Sequence, residues 1–181
     1  VSGTAESPKV EFNAHVLGGH LGDAVLGEGK VDFSYMNGAL SIRECQIPIG
    51  SGVLAAQGSM NSAGDLDIQA AARDMDISWI PQVLGKKDMS IGGKLTAAVI
   101  LSGNKKAPVA DISVGIDNPR YGGISFDSLS LMANAANNVV TVQNGLISRG
   151  QYRASMKGTL PGNVFTGSTP DKAGPLNLDI N

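Results

Sequence analysis

Few residues of this chain have types and spacings that could do chemistry. His15 and His20 sit five apart across Gly18-Gly19, and no third ligand completes the pattern that a zinc site needs. Solvated loop histidines are the expectation. Asp65/Asp67 and Asp74/Asp76 each place two carboxylates on the same side of a strand. A glycosidase holds such a pair across its scissile bond, but acids at alternate positions are also what the wet face of a strand looks like. Cys45 is the only cysteine, with no obvious base beside it, so it reads as a small packing residue. The nucleophile elbow, the P-loop and the dinucleotide-binding glycine pattern are all missing from the sequence. These residues point to a protein that is not an enzyme and carries no metal or cofactor.

Composition removes further classes. Lysine and arginine number 14 against 16 acids, a formal charge of −2, so no basic field is available to hold nucleic acid or anionic membranes. One cysteine permits no internal disulfide and leaves the redox compartment open. The most apolar run, Leu95 to Leu101, contains a threonine and is far short of the roughly 20 residues of a membrane helix. Val1 begins inside what reads as a strand, without an initiator methionine or a signal peptide, and the chain is expected to be a piece of something longer.

The elements that must position these residues are strands. Glycine (24) and proline (8) are spread along the whole length, as suits many short strands with frequent turns. Apolar residues alternate with polar ones at Val10, Phe12, Ala14 and Val16, at Val31, Phe33 and Tyr35, and at Leu66, Ile68, Ala70 and Ala72. The same period of two returns at Leu95, Ala97, Val99 and Leu101, at Ala110, Ile112, Val114 and Ile116, and at Leu129, Leu131 and Ala133. It continues at Val140 and Val142, at Tyr152, Ala154 and Met156, and at Leu176, Leu178 and Ile180. Such alternation predicts antiparallel sheet with one apolar and one wet face. Only the stretch from Asp74 to Gly85 breaks it, where Met75, Ile77, Trp79, Ile80, Val83 and Leu84 surround Pro81. A single helical turn or short plug is expected there, with Trp79 closing a sheet end. Lys86-Lys87 and Lys105-Lys106 read as solvated turns.

The chain is also similar to itself at a shift of 100. Val1-Ser2-Gly3-Thr4 and Pro8 meet Leu101-Ser102-Gly103-Asn104 and Pro108; Gly22, Asn37, Ile47, Gly50 and Gly58 meet Gly122, Asn137, Ile147, Gly150 and Gly158. After Pro161 an insertion rich in Gly, Thr and Pro intervenes, and Asn177-Leu178-Asp179-Ile180 then echoes Asp65-Leu66-Asp67-Ile68. Two β repeat units in one continuous sheet, 1–100 and 101–181, are the expectation.

What covers the apolar faces is left open by the residues themselves. Aromatics are 4% of the chain and many inward positions are Ala, Val or Ile. Such faces either interdigitate in a slim aliphatic sandwich or line a partly open sheet that long alkyl chains fill.

A family resemblance bears on that choice. The stretch Gly92-Gly93-Lys94-Leu95-Thr96-Ala97-Ala98-Val99-Ile100-Leu101-Ser102-Gly103-Asn104, followed by Ala107-Pro108, resembles the repeat of the TamB/AsmA-like superfamily. So do Phe126-Asp127-Ser128-Leu129-Ser130-Leu131, Asn137-Asn138-Val139-Val140-Thr141-Val142, Gly150 and Lys157-Gly158-Thr159-Leu160-Pro161. Asp74 to Ile80 is similar to the family's connector between sheet units, with Met75 and Ile77 where leucine is expected. The resemblance implies an elongated, curved antiparallel sheet folded into a β-taco-like trough with an apolar interior. It also implies a periplasmic location in diderm bacteria, an inner-membrane anchor helix outside this stretch, and an outer-membrane barrel partner of the BamA-like TamA type reached through other parts of the protein. The groove residues expected on this reading are Val10, Phe12, Ala14, Leu66, Ile68, Ala70, Leu95, Ala97, Val99, Ile112, Val114, Leu129, Leu131, Val140 and Val142, and the ligands are phospholipid acyl chains. Two other readings stand beside it: a scaffold whose sheet edge pairs with unfolded outer-membrane strands, and a structural or adhesive repeat with a closed core.

Overall fold

The computed structural model describes residues 2–3, 8–86, 89–162 and 177–181. Val1, Thr4, Lys87, Leu176 and nearly all of the insertion after Pro161 lie outside these residues. The alternating segments form β1 (Ser2–Gly3), β2 (Pro8–Val16), β3 (Gly19–Leu21), β4 (Ala24–Leu26), β5 (Gly29–Met36), β6 (Ala39–Ile49), β7 (Gly52–Met60) and β8 (Asp65–Asp76). The one helix, α1 (Ile80–Val83), follows. Then come β9 (Ile91–Asn104), β10 (Ala107–Tyr121), β11 (Ile124–Ser125), β12 (Ser128–Ala136), β13 (Val139–Arg149), β14 (Tyr152–Pro161) and β15 (Asn177–Ile180).

All fifteen strands belong to one sheet, ordered β1-β2-β5-β6-β7-β8-β9-β10-β12-β13-β14-β15, with β3, β4 and β11 as short offshoots. Every pairing is antiparallel, and β1 and β15 do not meet, so the sheet is open and not a barrel. Neighbours in space are neighbours in sequence, because each tight turn returns the chain beside the strand it has just left. The boundary expected at position 100 falls inside β9, so the sheet runs through it without a break.

The structure places the same devices at the shift of 100. The β5–β6 turn, Asn37-Gly38, and the β12–β13 turn, Asn137-Asn138, both have positive φ at both central residues. That geometry twists a two-residue hairpin to match its strands, and Asn and Gly tolerate it best. Gly50 and Gly150 turn the next hairpins with φ of 59° and 58°. The pairing of β6 with β7 jumps from Ile42↔Gly58 to Cys45↔Ala56, and that of β13 with β14 jumps from Val142↔Gly158 to Gly145↔Met156. Two residues thus oppose one, at Arg43-Glu44 and again at Gln143-Asn144. Such a bulge bends the strand and increases its twist. A glycine sits beside each, Gly58 at φ 131° and Gly158 at φ 143°. A Cβ at Gly58 would collide with the Asp67 carbonyl and Ile68 Cα, and one at Gly158 with the Asn177 carbonyl. Bulge and glycine together form the bend line of the trough.

Gly58→Ala and Gly158→Ala should therefore each lower stability by about 1–3 kcal/mol from backbone strain alone, more if the collision is not relieved. Equilibrium urea unfolding measures this, and an outer-face control such as Ser59→Ala should stay within about 0.5 kcal/mol.

Candidate functional site

Antiparallel register decides which side chains share a face, because residues directly opposite one another point the same way. One transect starts at Phe12 and runs through Phe33, Ile42, Gly58, Ile68, Leu101, Ala110, Ala135 and Val140 to Leu160. The next runs Ala14, Val31, Cys45, Ala56, Ala70, Val99, Ile112, Ala133, Val142, Gly158, Leu178. Parallel rows contain Val10 and Leu66, Ala97, Val114 and Leu131, and Leu95 and Leu129. All fifteen expected groove residues lie on this face, and none of the rows holds a charged side chain. At about 4.8 Å between strands, the twelve strands of the main path make this surface roughly 50 Å long.

None of the described residues forms a layer over it. Each strand packs chiefly against its hydrogen-bonded neighbours, and among the described residues no second layer of sheet or helix lies opposite. No described side chain is fully buried. Of the fifteen, Val140 and Val142 are buried, Phe12 is 43% exposed and the rest are half-buried. Phe12 stacks on Phe33 with ring centroids 5.1 Å apart, covering part of the face at its first end.

The two rims of the trough differ. One carries the tight turns Asn37-Gly38, residues 61–64, Lys105-Lys106 and Asn137-Asn138, and β14 ends there at Pro161, paired with Val139. The other carries the connections from β8 to β9 and from β10 to β12. There the β3–β4 hairpin and the α1 connector fold together, Gln82 donating to Asp23, and Trp79 packs with Leu26, Ile47 and Leu54 around the buried Ala24, Ile49, Ala72 and Met75. Trp79 thus closes the long-connection rim, as its isolation in the sequence suggested. Its indole N–H is buried without an acceptor. The connector is shaped by Asp76, whose Oδ1 accepts the Ser78 backbone N–H at 2.8 Å. That bond holds the carboxyl below the usual carboxylate range.

Between the rims, strands β9 to β14 enclose an apolar cavity of about 930 Å³. Ile112, Val114, Leu131, Val140 and Val142 line it, joined by Ala133, Ala135, Met156 and Leu160, which the expected set omitted. The omitted residues share the inward parity, so the periodicity contained them, but which inward positions form the deepest part depends on where the sheet bends. Lys106, Asn137 and Asn138 are the polar side chains of the lining, and all three belong to the tight-turn rim. The cavity lies at the upper end of the 300–1,000 Å³ typical of small-molecule sites.

The residues that suggested chemistry lie elsewhere. His15 faces outward opposite Lys30, and His20 stands in the separate β3 strand. No group of three potential ligands exists among the described residues. Asp65 and Asp67 share the outer face, where Asp65 accepts hydrogen bonds from Asn61 and Asn104 at 2.8 and 2.9 Å that hold its carboxyl below the ordinary range. Asp74 lies in the β8 bulge between Ala72 and Met75, where it has φ +50°, and Asp76 pairs with Lys94 after it. Outer-face ions pair with one another: Arg43 holds the Asp32 carboxyl low, and Glu44, 2.6 Å from Lys30, raises its pKa. Cys45 faces inward among Val31 and Ala56. Compared with known proteins, the chain matches no family model, no curated protein and no solved structure.

Because the Asp76 carboxyl is held low in the folded state, its contribution is complete above the unfolded pKa of about 3.9 and fades as pH falls through the folded value. The connector of wild-type protein should therefore loosen on acidification below about pH 4. Asp76→Ala should lack that component and loosen the connector already at neutral pH. Emission of Trp79, the only tryptophan, reports the seating directly and should be red-shifted in the variant at pH 7.

Proposed function

We propose that this chain is a segment of a periplasm-spanning protein of the TamB/AsmA-like kind, whose trough carries phospholipid acyl chains between the inner and outer membranes. One observation supports the reading above all others: an apolar sheet face about 50 Å long that the described residues leave uncovered, hollowed into a 930 Å³ cavity. Apolar faces of sheets are normally buried against a second layer, and alkyl chains do the same work at about 0.8 kcal/mol per buried methylene. The rows repeat with similar Ala, Val, Ile and Leu content, so a chain would slide along them without deep traps. The reading asks for no catalytic step, and direction must come from elsewhere, since a passive trough has none. An inner-membrane anchor and a TamA-like barrel partner belong to other parts of the protein on this reading.

Native mass spectrometry of the purified chain with lipid extraction tests it. Phospholipid should copurify, and Val114→Asp should reduce it about tenfold, the loss of two methylene contacts, with the β circular dichroism intact. Ser113→Asp, one residue away on the outer face, should change nothing. A chain that carries no lipid and takes up no fluorescent fatty acid would overturn the proposal.

A second reading has one observation of its own. β1 pairs only with Pro8 and Lys9, so the outer edge of β2 from residue 10 to 16 has no strand partner among the described residues. An unpaired edge accepts extended peptides. If the chain scaffolds unfolded outer-membrane strands, peptides of alternating apolar sequence should slow amide exchange in β2. Unchanged exchange at saturating peptide sets that reading aside.

A further inference from the structure

We propose that the cavity orients its lipid, with an anionic headgroup at Lys106 on the tight-turn rim and the acyl chain running inward toward the long-connection rim. The inference rests on the lipid-carrying reading and names the ligand class and its direction. It is carried by the distribution of charge around the cavity. Lys106 is the one cation of the lining, and the lining holds no carboxylate. Its ammonium makes no ion pair among the described residues. Its turn is held by the Lys106 backbone N–H, which donates to Asn104 Oδ1 at 3.2 Å. Lys106 therefore stands at one end of an apolar lining with no ion-pair partner among the described residues.

The other end of the cavity offers no such group. Val114, Leu131, Val142 and Met156 line it, so a headgroup placed there would lose water and find no partner. At the tight-turn rim it stays hydrated and gains an opposite charge. The missing carboxylate also selects among lipids. A net-anionic headgroup such as phosphatidylglycerol meets Lys106, whereas the cation of a zwitterionic head finds no anion in the lining.

Lys105 provides a control within the same turn. Its stem lies over Gly64, and it does not line the cavity.

The experiment loads the whole chain from mixed micelles of phosphatidylglycerol and phosphatidylcholine with identical acyl chains, and reads bound lipid by native mass spectrometry. Wild type should take the anionic lipid about threefold over the zwitterion, the scale of a solvent-exposed ion pair. Salt at 0.5 M should shrink the preference. Lys106→Gln should abolish it and Lys106→Glu reverse it, while Lys105→Gln leaves it in place. Equal uptake of both lipids by wild type, or equal effects of the Lys105 and Lys106 variants, overturns the orientation and leaves the groove standing. Uptake of neither lipid overturns the groove itself.

Discussion

An apolar sheet face that the described residues leave uncovered is the constraint on which the rest of this structure depends. Five rows of inward residues run across the strands without a charge, and among the described residues no second layer faces them. In an ordinary sandwich the two faces would bury one another at roughly 25 cal/mol per Å². Here that contribution is largely withheld within the described chain. Stability comes from the antiparallel ladders, the partial cover that bent strands give their own neighbours, and the cluster beneath Trp79.

Curvature is what turns an exposed face into a trough, and it is bought locally. The Arg43-Glu44 and Gln143-Asn144 bulges bend the sheet at equivalent places, and Gly58 and Gly158 stand where any Cβ would strike the next strand. Small inward residues such as Ala56, Ala70, Ala97 and Ala133 leave the concave side hollow, where Leu or Phe would fill it. The same economy of side-chain volume accounts for the scarcity of aromatics. The long-connection rim is the exception: Trp79, Met75, Ile49 and Leu54 supply bulk there, and the only well-buried cluster of the first half forms around them.

The strand periodicity and the turn residues were legible in the sequence because each depends on near neighbours. A period of two is local, as is the preference of Asn37-Gly38 and Asn137-Asn138 for positive φ. The fifteen expected groove residues share a face for the same reason, since parity within each strand survives pairing once every bulge is placed. The depth of the cavity was less legible. Ala133, Ala135, Met156 and Leu160 have the right parity but no feature that distinguishes them from other inward residues, and only the bends bring them together.

The sequence by itself determined that this protein is antiparallel β, that each strand has one apolar face, and that its turns and bends recur at a shift of 100. Those properties reside in residue types a few positions apart. Tertiary structure alone decided that the faces line one continuous open sheet with no opposing layer among the described residues, that Trp79 packs at one rim, and that Lys106 joins the cavity lining from the other. The physical reason is range: whether an apolar face meets another sheet or stays open depends on how small twists and bulges accumulate over twelve strands, and no short window of sequence contains that sum.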